Sequence, residues 1–214
     1  MNNIIAPTWP IPQKKYEILA LQELLRYEKI SRILEIGTWS GGTALLWAQM
    51  VSRYNGGIVY CCDLSFDYGV FINPLLGIKY GPKQLYADTP WEKYVKELKG
   101  DSHDPVFVER VKREINTSVD MLFIDGDHSY EGVKADFENF SSLVKLGGYI
   151  VFHDILDRDE DPGDPIRPNV RVSLLWNELK KQYRWWEFID NNEYYCYETL
   201  LPSNCMGIGV IKIK

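Results

Sequence analysis

No apolar run in this chain approaches the ~20 residues needed to span a bilayer, so no membrane-crossing helix is expected. The opening stretch, Met1 to Pro10, has no basic region followed by a long apolar segment, and no signal peptide is expected. A basic stripe, the footprint of nucleic-acid binding, is also missing: Lys and Arg are scattered and the net charge is −6. That acidic balance disfavours docking on an anionic membrane as well. Cysteine is scarce, with four in 214 residues, and none has CxxC spacing. Cys61 and Cys62 are neighbours on an expected strand, where adjacent side chains point to opposite faces, so they are not expected to pair. Together with Cys196 and Cys205 they read as reduced thiols of a cytoplasmic protein. Internal repeats and low-complexity segments are absent, and nothing marks a domain boundary.

What remains is ordinary globular composition, 45% hydrophobic, with a generous aromatic supply of 7 Trp and 14 Tyr. Residues 1–12 carry three prolines and read as an irregular arm. Apolar spacing predicts a helix from Gln13 to about Tyr27. A strand follows at 32–36, a glycine turn at 37–42, a helix at 43–53 and a strand at 58–62. Residues 65–92, rich in Phe, Tyr, Gly and Pro, read as an insertion with one short helix at most. Trp91 to Leu98 looks helical, with a short strand at 95–99 as the alternative. A helix is expected over 105–115, capped by Asp104 with Pro105 in its first turn. Then come a strand at 121–124, a helix at 132–143 stopped by Gly147-Gly148, and a strand at 149–152. Residues 156–169 form an acidic loop, 170–183 a helix, and 185–189 and 208–213 two strands. Strands alternating with helices imply βαβ units and a mainly parallel sheet.

Two stretches concentrate the chemistry. Asp120-Met-Leu-Phe-Ile-Asp125-Gly-Asp127-His128 and Gly147-Gly-Tyr-Ile-Val-Phe-His153-Asp154 are each a buried apolar strand that ends in acids and a histidine. Ligands of open α/β sheets bind beyond the carboxyl ends of the strands. Asp125, Asp127, His128, His153 and Asp154 would therefore meet, as an oxygen-rich metal site with a base beside it. The turn Glu35-Ile-Gly37-Thr38-Trp-Ser-Gly41-Gly42 lets backbone approach a ligand closely and offers the free amides of a helix start. It is neither G-x-G-x-x-G nor a P-loop, and Glu35 would repel a phosphate, so a ligand carrying positive charge suits it better. Asp63 can bond a ribose, and Asp101-Ser102 can accept from an adenine amine. A nucleoside site without phosphate recognition fits S-adenosylmethionine.

These motifs, Glu35-x-Gly37-x-x-x-Gly41-Gly, Asp63, Gly100-Asp-Ser, Phe123-Ile-Asp-Gly-Asp-His-Ser-Tyr and Gly147-Gly-Tyr-Ile-Val-Phe-His-Asp154, resemble class I S-adenosylmethionine-dependent methyltransferases. The resemblance is to the branch with macrolide-sugar and aminocoumarin-sugar O-methyltransferases and cephalosporin hydroxylase-like proteins, and it covers about Gln13 to Trp176. It implies an α/β, Rossmann-like three-layer sandwich with a seven-stranded, mostly parallel sheet of order 3-2-1-4-5-7-6, the last strand antiparallel. It also implies that Asp125, His153 and Asp154 hold a divalent metal, Mg²⁺ by analogy. His153 stands where the family usually has Asp or Glu, which keeps Mn²⁺, Fe²⁺ and Zn²⁺ in view.

The expected function is metal-assisted methyl transfer to a hydroxyl of a small molecule, such as a sugar or natural-product glycoside. A metal would lower the pKa of that hydroxyl, and Asp127 or His128 would take its proton. Glu35, Gly37, Thr38, Gly41, Asp63, Asp101, Ser102 and Asp125 would border the cofactor, and Trp39, Tyr130 and the 65–92 insertion the substrate. The aromatic insertion and the arm point faintly to a homo-oligomer. Rival readings are a hydroxylase-associated subunit on this fold and a non-catalytic nucleoside-binding protein. Asp127 also reads as a mere cap of the next helix.

Overall fold

A computed structural model describes residues 4–7, 11–67, 69–73, 77–81, 83–156, 170–190 and 207–214. Most of the acidic loop, together with Cys196 and Cys205, lies outside the described residues. The main sheet is built from β1 (Arg32–Ile36), β2 (Ile58–Asp63), β5 (Val95–Lys99), β6 (Val119–Ile124), β7 (Val144–His153), β8 (Arg184–Phe188) and β9 (Ile208–Lys212). Their order is β5-β2-β1-β6-β7-β9-β8, which is 3-2-1-4-5-7-6 when only these seven are counted. Every pairing from β5 to β7 is parallel, and β9 runs antiparallel to both of its neighbours. The Rossmann-like arrangement expected from the motifs is the one observed.

The sheet splits the core into two layers by simple alternation. Ile33, Val59, Cys61, Met121, Phe123 and Val151 face one layer, with α1 (Lys15–Leu24) and α2 (Gly42–Val51). Leu34, Tyr60, Cys62, Leu122, Ile124 and Phe152 face the other, with α3 (Pro105–Ile115), α4 (Tyr130–Phe140) and α5 (Val172–Leu179). Cys61 and Cys62 are free, buried thiols on opposite faces, as adjacent strand residues must be. All six residues of β6 are buried, and they form the centre of the molecule.

Local chemistry sets several boundaries. Asp104 accepts from Val106 N–H at 3.0 Å and Pro105 opens α3, which ends at Asn116 in a left-handed conformation (φ 52°). Ser129 caps α4 by accepting from Gly132 N–H at 3.0 Å. Asp120 ties the start of β6 to β1, with Oδ2 accepting from Ser31 and Arg32 N–H at 2.7 and 2.9 Å.

Three expectations require correction. Trp91 to Leu98 is not a helix: one 3-10 turn, Glu92–Tyr94, leads directly into β5. Trp91, Tyr94, Val95 and Leu98 fall at helical spacing, but pairing with β2 sends Val95 and Leu98 to opposite core layers, and that non-local pairing prevails. Helix α4 passes at Phe140 into a 3-10 turn, Ser141–Leu143, so helical backbone ends at the expected residue, but its stop is not Gly147-Gly148, which lie inside β7 near a register shift against β6. The 65–92 segment contains an antiparallel hairpin, β3 (Gly69–Asn73) with β4 (Gly77–Gly81), in place of a short helix.

Phe123 is fully buried, its ring 5.5 Å from that of Trp47. Phe123→Ala should cost about 3–5 kcal/mol of unfolding free energy, read from urea denaturation.

Candidate active site

The site lies beyond the carboxyl ends of β1, β2, β5, β6 and β7, around a cavity of about 620 Å³. Its floor is a tight backbone crossing. Gly37 leaves β1 with φ 82°, and a Cβ there would lie 2.1 Å from the Asp125 carbonyl oxygen. No other residue allows the turn after β1 and the end of β6 to come so close. The crossing is sealed by Gly37 N–H donating to Cys62 O (2.9 Å) and Asp125 N–H donating to Ile36 O (2.8 Å). From the far side, Gln84 Nε2 donates to Trp39 O at 2.8 Å and Leu85 N–H to Ser40 O at 3.0 Å. The segment after the hairpin thus braces the glycine turn.

Asp63, at the end of β2, holds the same turn. Its Oδ2 accepts from Thr38 and Trp39 N–H, both at 2.8 Å, and its Oδ1 accepts from Ser65 N–H at 3.1 Å. A carboxylate oxygen can accept two hydrogen bonds, so Oδ1 retains capacity for a ligand hydroxyl. Gly37, Trp39, Asp63, Asp101, Ser102, Asp125, Asp127, His128 and His153 all line the cavity. Asp101 Oδ1 accepts from His103 N–H at 2.8 Å, and Asn139 Nδ2 holds Ser102 O at 3.0 Å.

Glu35, Thr38, Gly41 and Tyr130 are not in the wall. Gly41 starts α2 with φ 80° against Gln84 and Tyr86, and the Tyr130 hydroxyl donates to Glu178 at 3.0 Å. Glu35 is fully buried beneath the floor, with the Cys61 thiol 3.5 Å from Oε2. Burial raises it to about 7, against hydrogen bonding from Thr43, Thr38 and Cys61. It does not present a full negative charge to the cavity, so its expected role beside a cationic ligand is not how the residue is placed.

Four side chains converge at the ends of β6 and β7. Asp125, His128, His153 and Asp154 offer ligand atoms that all lie within 4.8 Å of one another. Asp125 Oδ1 is 3.0 Å from both His128 Nε2 and His153 Nδ1. His128 Nε2 is 3.3 Å from Asp154 Oδ2, and His153 Nδ1 is 3.6 Å from Asp154 Oδ1. Consecutive strand residues point to opposite faces, so His153 and Asp154 could not both arrive here in extended backbone. Asp154 takes a left-handed conformation, φ 60°, and this bend brings its carboxylate back beside His153.

The electrostatics of the four are mutual. Burial would raise Asp125, but the charges and hydrogen bonds of His153 and His128 hold it well below the ordinary carboxylate range. Burial disfavours a charged His153, yet Asp125 and Asp154 push it up to about 9. His128 is likewise raised by Asp125 and Asp154 against its burial. The two imidazoles and the Asp125 carboxylate thus favour one another's charged forms. Two carboxylates and two imidazoles also form a donor set that a divalent ion accepts. Asp127 is different in kind. It is exposed, and its Oδ1 accepts from Ser129 N–H at 2.8 Å in the turn before α4. Partial burial resists its ionisation, but Ser129 keeps it below the usual range.

Several neighbours were not foreseen. Gln13 is buried just ahead of α1, and its Nε2 donates to Asp125 Oδ2 at 2.6 Å. Glu17 accepts from Asp190 N–H (2.9 Å) and Gly207 N–H (3.1 Å), and burial raises its pKa. Asp136, on α4, is fully buried 3.3 Å from His103 Nε2 behind the cavity wall; burial raises it to about 6, with Ser102 and His103 acting the other way. A signal for Asp136 was present, since it shares the apolar face of α4 with Val133 and Phe140, where an acid is out of place. Gln13 gave none.

Sheet order and a strand-end cavity without a P-loop define a Rossmann-like domain of the class I methyltransferase type. A methyltransferase-domain family matches residues 34–155, more than half of the chain, and the chain belongs to that family. An uncharacterised protein, R132, of Acanthamoeba polyphaga mimivirus is 40% identical over 125 residues, 58% of this chain and 51% of the viral protein. The chain thus spans about half the length of that relative.

Among solved structures, an O-methyltransferase from Bacillus cereus in complex with SAH is similar, with TM-score 0.61, 18% identity, and 98% of this chain and 84% of that one covered. A putative caffeoyl-CoA O-methyltransferase from Staphylococcus aureus gives TM-score 0.62, 22% identity and coverage of 95% and 86%. MycE from the mycinamycin biosynthetic pathway, in complex with Mg, SAH and mycinamycin VI, gives TM-score 0.57 and 18% identity, covering 90% of this chain and 48% of MycE. At these identities the likeness is one of fold.

Two expected outcomes test the site's construction. Gly37→Ala should destabilise the protein by at least about 3 kcal/mol in chemical denaturation, since both φ and the Asp125 carbonyl oppose a Cβ. Glu35 binds its proton more tightly folded than unfolded, so stability should fall as pH rises from about 4.5 to about 7. Glu35→Gln removes that loss. Above pH 7 the variant should exceed the parent by on the order of 3 kcal/mol, and near pH 4 the two should converge, as followed by thermal melts across pH.

Proposed function

We propose that this chain is an S-adenosylmethionine-dependent O-methyltransferase. It acts on a small-molecule hydroxyl, a sugar or natural-product glycoside, with a divalent ion at Asp125, His153 and Asp154. The observation that carries this reading is the four-residue cluster, of which Asp125, His128 and His153 line the cavity, beside a glycine turn that lacks phosphate-binding groups. Membership of the methyltransferase-domain family supports it, as does the fold shared with proteins solved with SAH. MycE, solved with Mg, SAH and mycinamycin VI, supports a metal and a small-molecule acceptor.

Bound S-adenosylmethionine would supply a methyl group from its sulfonium, and a divalent ion would lower the pKa of the acceptor hydroxyl. The chain's own residues do the positioning. Asp63 Oδ1 receives a ribose hydroxyl while Oδ2 keeps the Thr38–Trp39 backbone in place. Asp101 and Ser102 form the adenine end, on a loop fixed by Asn139. Gly37 lets the glycine turn close onto the end of β6, which sets the wall beside the cofactor's tail. Asp127, ionised, exposed and in the cavity wall, takes the acceptor proton. His128 has its Nε2 directed at Asp125 and Asp154, which leaves it less suited to that task.

Calorimetry with S-adenosylmethionine, followed by assays with methyl-labelled cofactor, a glycoside panel and divalent ions, tests this reading. Binding and labelled product are expected. Asp127→Asn should lower kcat by ~100-fold or more while cofactor binding stays within a few-fold. A chain that binds no S-adenosylmethionine under any of these conditions would sink the assignment.

A further inference from the structure

We propose that Asp125, His128, Asp154 and His153 form a transition-metal site with two imidazole and two carboxylate ligands, selective for ions of the Zn²⁺ and Fe²⁺ class over Mg²⁺. In this site His128 is a ligand and not the proton acceptor. The inference rests on the reading above only in that both place an ion at this cluster.

The four groups form a closed ring in which carboxylate and imidazole alternate. Its edges are 3.0 Å (Asp125 to His128), 3.3 Å (His128 to Asp154), 3.6 Å (Asp154 to His153) and 3.0 Å (His153 to Asp125). Ligand atoms about 2.1 Å from a common ion, arranged tetrahedrally, stand about 3.4 Å apart. Two of these edges reach different oxygens of Asp154, Oδ2 towards His128 and Oδ1 towards His153, and one ligand atom from each residue lies within 4.8 Å of every other, so an ion would draw the four groups inward to bind them.

Donor type then decides the ion. Mg²⁺ demands oxygen ligands in octahedral array, releases its waters reluctantly and is seldom caged by protein alone. Imidazole nitrogen suits zinc, iron and later transition ions. A strand end carrying only carboxylates would leave the choice to Mg²⁺ and Mn²⁺; here two of the four donors are nitrogens. His153 and Asp154 are almost wholly buried, which limits the water that a Mg²⁺ ion could keep.

The surroundings fit a prepared site. Gln13 Nε2 holds the outer oxygen of Asp125 at 2.6 Å, which turns Oδ1 towards both rings. Gln13 is itself 1% exposed, and its Oε1 has no hydrogen-bond partner among the described residues. This ring is not a solvated acidic patch: its two acids arrive from different strands and are interleaved with both imidazoles.

The chain has three histidines, and that count supplies the test. Long-range ¹H–¹⁵N spectra of ¹⁵N-histidine-labelled protein resolve each ring, with His103→Gln assigning the one outside the cluster. Equimolar Zn²⁺ should move the ring-nitrogen signals of His128 and His153 to metal-bound positions and leave His103 in place. Mg²⁺ should require a concentration on the order of 100-fold higher to produce any change. Equal response to the two ions, or a Zn²⁺ response confined to one ring or to His103, would overturn the inference. Methyl-transfer assays on the same sample separate the two readings. Ring shifts without methyl transfer would leave the metal site standing and remove the proposed activity. Methyl transfer without the shifts would do the reverse.

Discussion

Asp125 ends the central strand with its N–H on Ile36, its carbonyl pressed against Gly37, and its carboxylate shared by two imidazoles and the Gln13 amide. Every other part of the site is fixed relative to it. The glycine turn can approach only because Gly37 has no side chain; Asp63 then stiffens that turn, and the turn sets one wall of the cavity. The sheet supplies the rigidity. β6 is buried along its length between β1 and β7, so its last residue is held by packing on both faces. Precise placement of this kind is where a scaffold contributes most to a reaction.

Around this point the protein sorts buried acids by their company. Asp125 has two imidazoles in contact and is held ionised. Glu35 and Asp136 are as deeply buried, but neither has a comparable partner, and burial carries them to about 7 and about 6. His103 stands 3.3 Å from Asp136 without a well-aligned hydrogen bond, so distance alone does not replace the double contact at Asp125. The outcome is a cluster of paired charges at the ends of β6 and β7, with two buried acids of raised pKa behind it.

Much of this was legible in the sequence. The strand-end stretches named Asp125, His128, His153 and Asp154, because apolar runs that stop at polar clusters are what a parallel sheet presents at its carboxyl edge. Sheet order followed from the motif resemblance, and Asp104-Pro105 marked the start of α3 to the residue. Elsewhere local pattern misled. At Trp91 to Leu98 helical spacing was real, but a strand pairing from far along the chain overrode it. Glu35 was legible as an acid at a turn, whereas its burial under the floor depends on three dimensions. Gln13 lies 112 positions from Asp125, and nothing in its neighbourhood announces that contact.

The bend at Asp154 narrows what evolution can write there. A left-handed backbone is tolerated by glycine, asparagine and aspartate, and poorly by larger or branched residues. Of those three only aspartate is anionic. The position therefore has a short alphabet in which a single letter carries charge, and drift away from it would silence the cluster while leaving the fold intact.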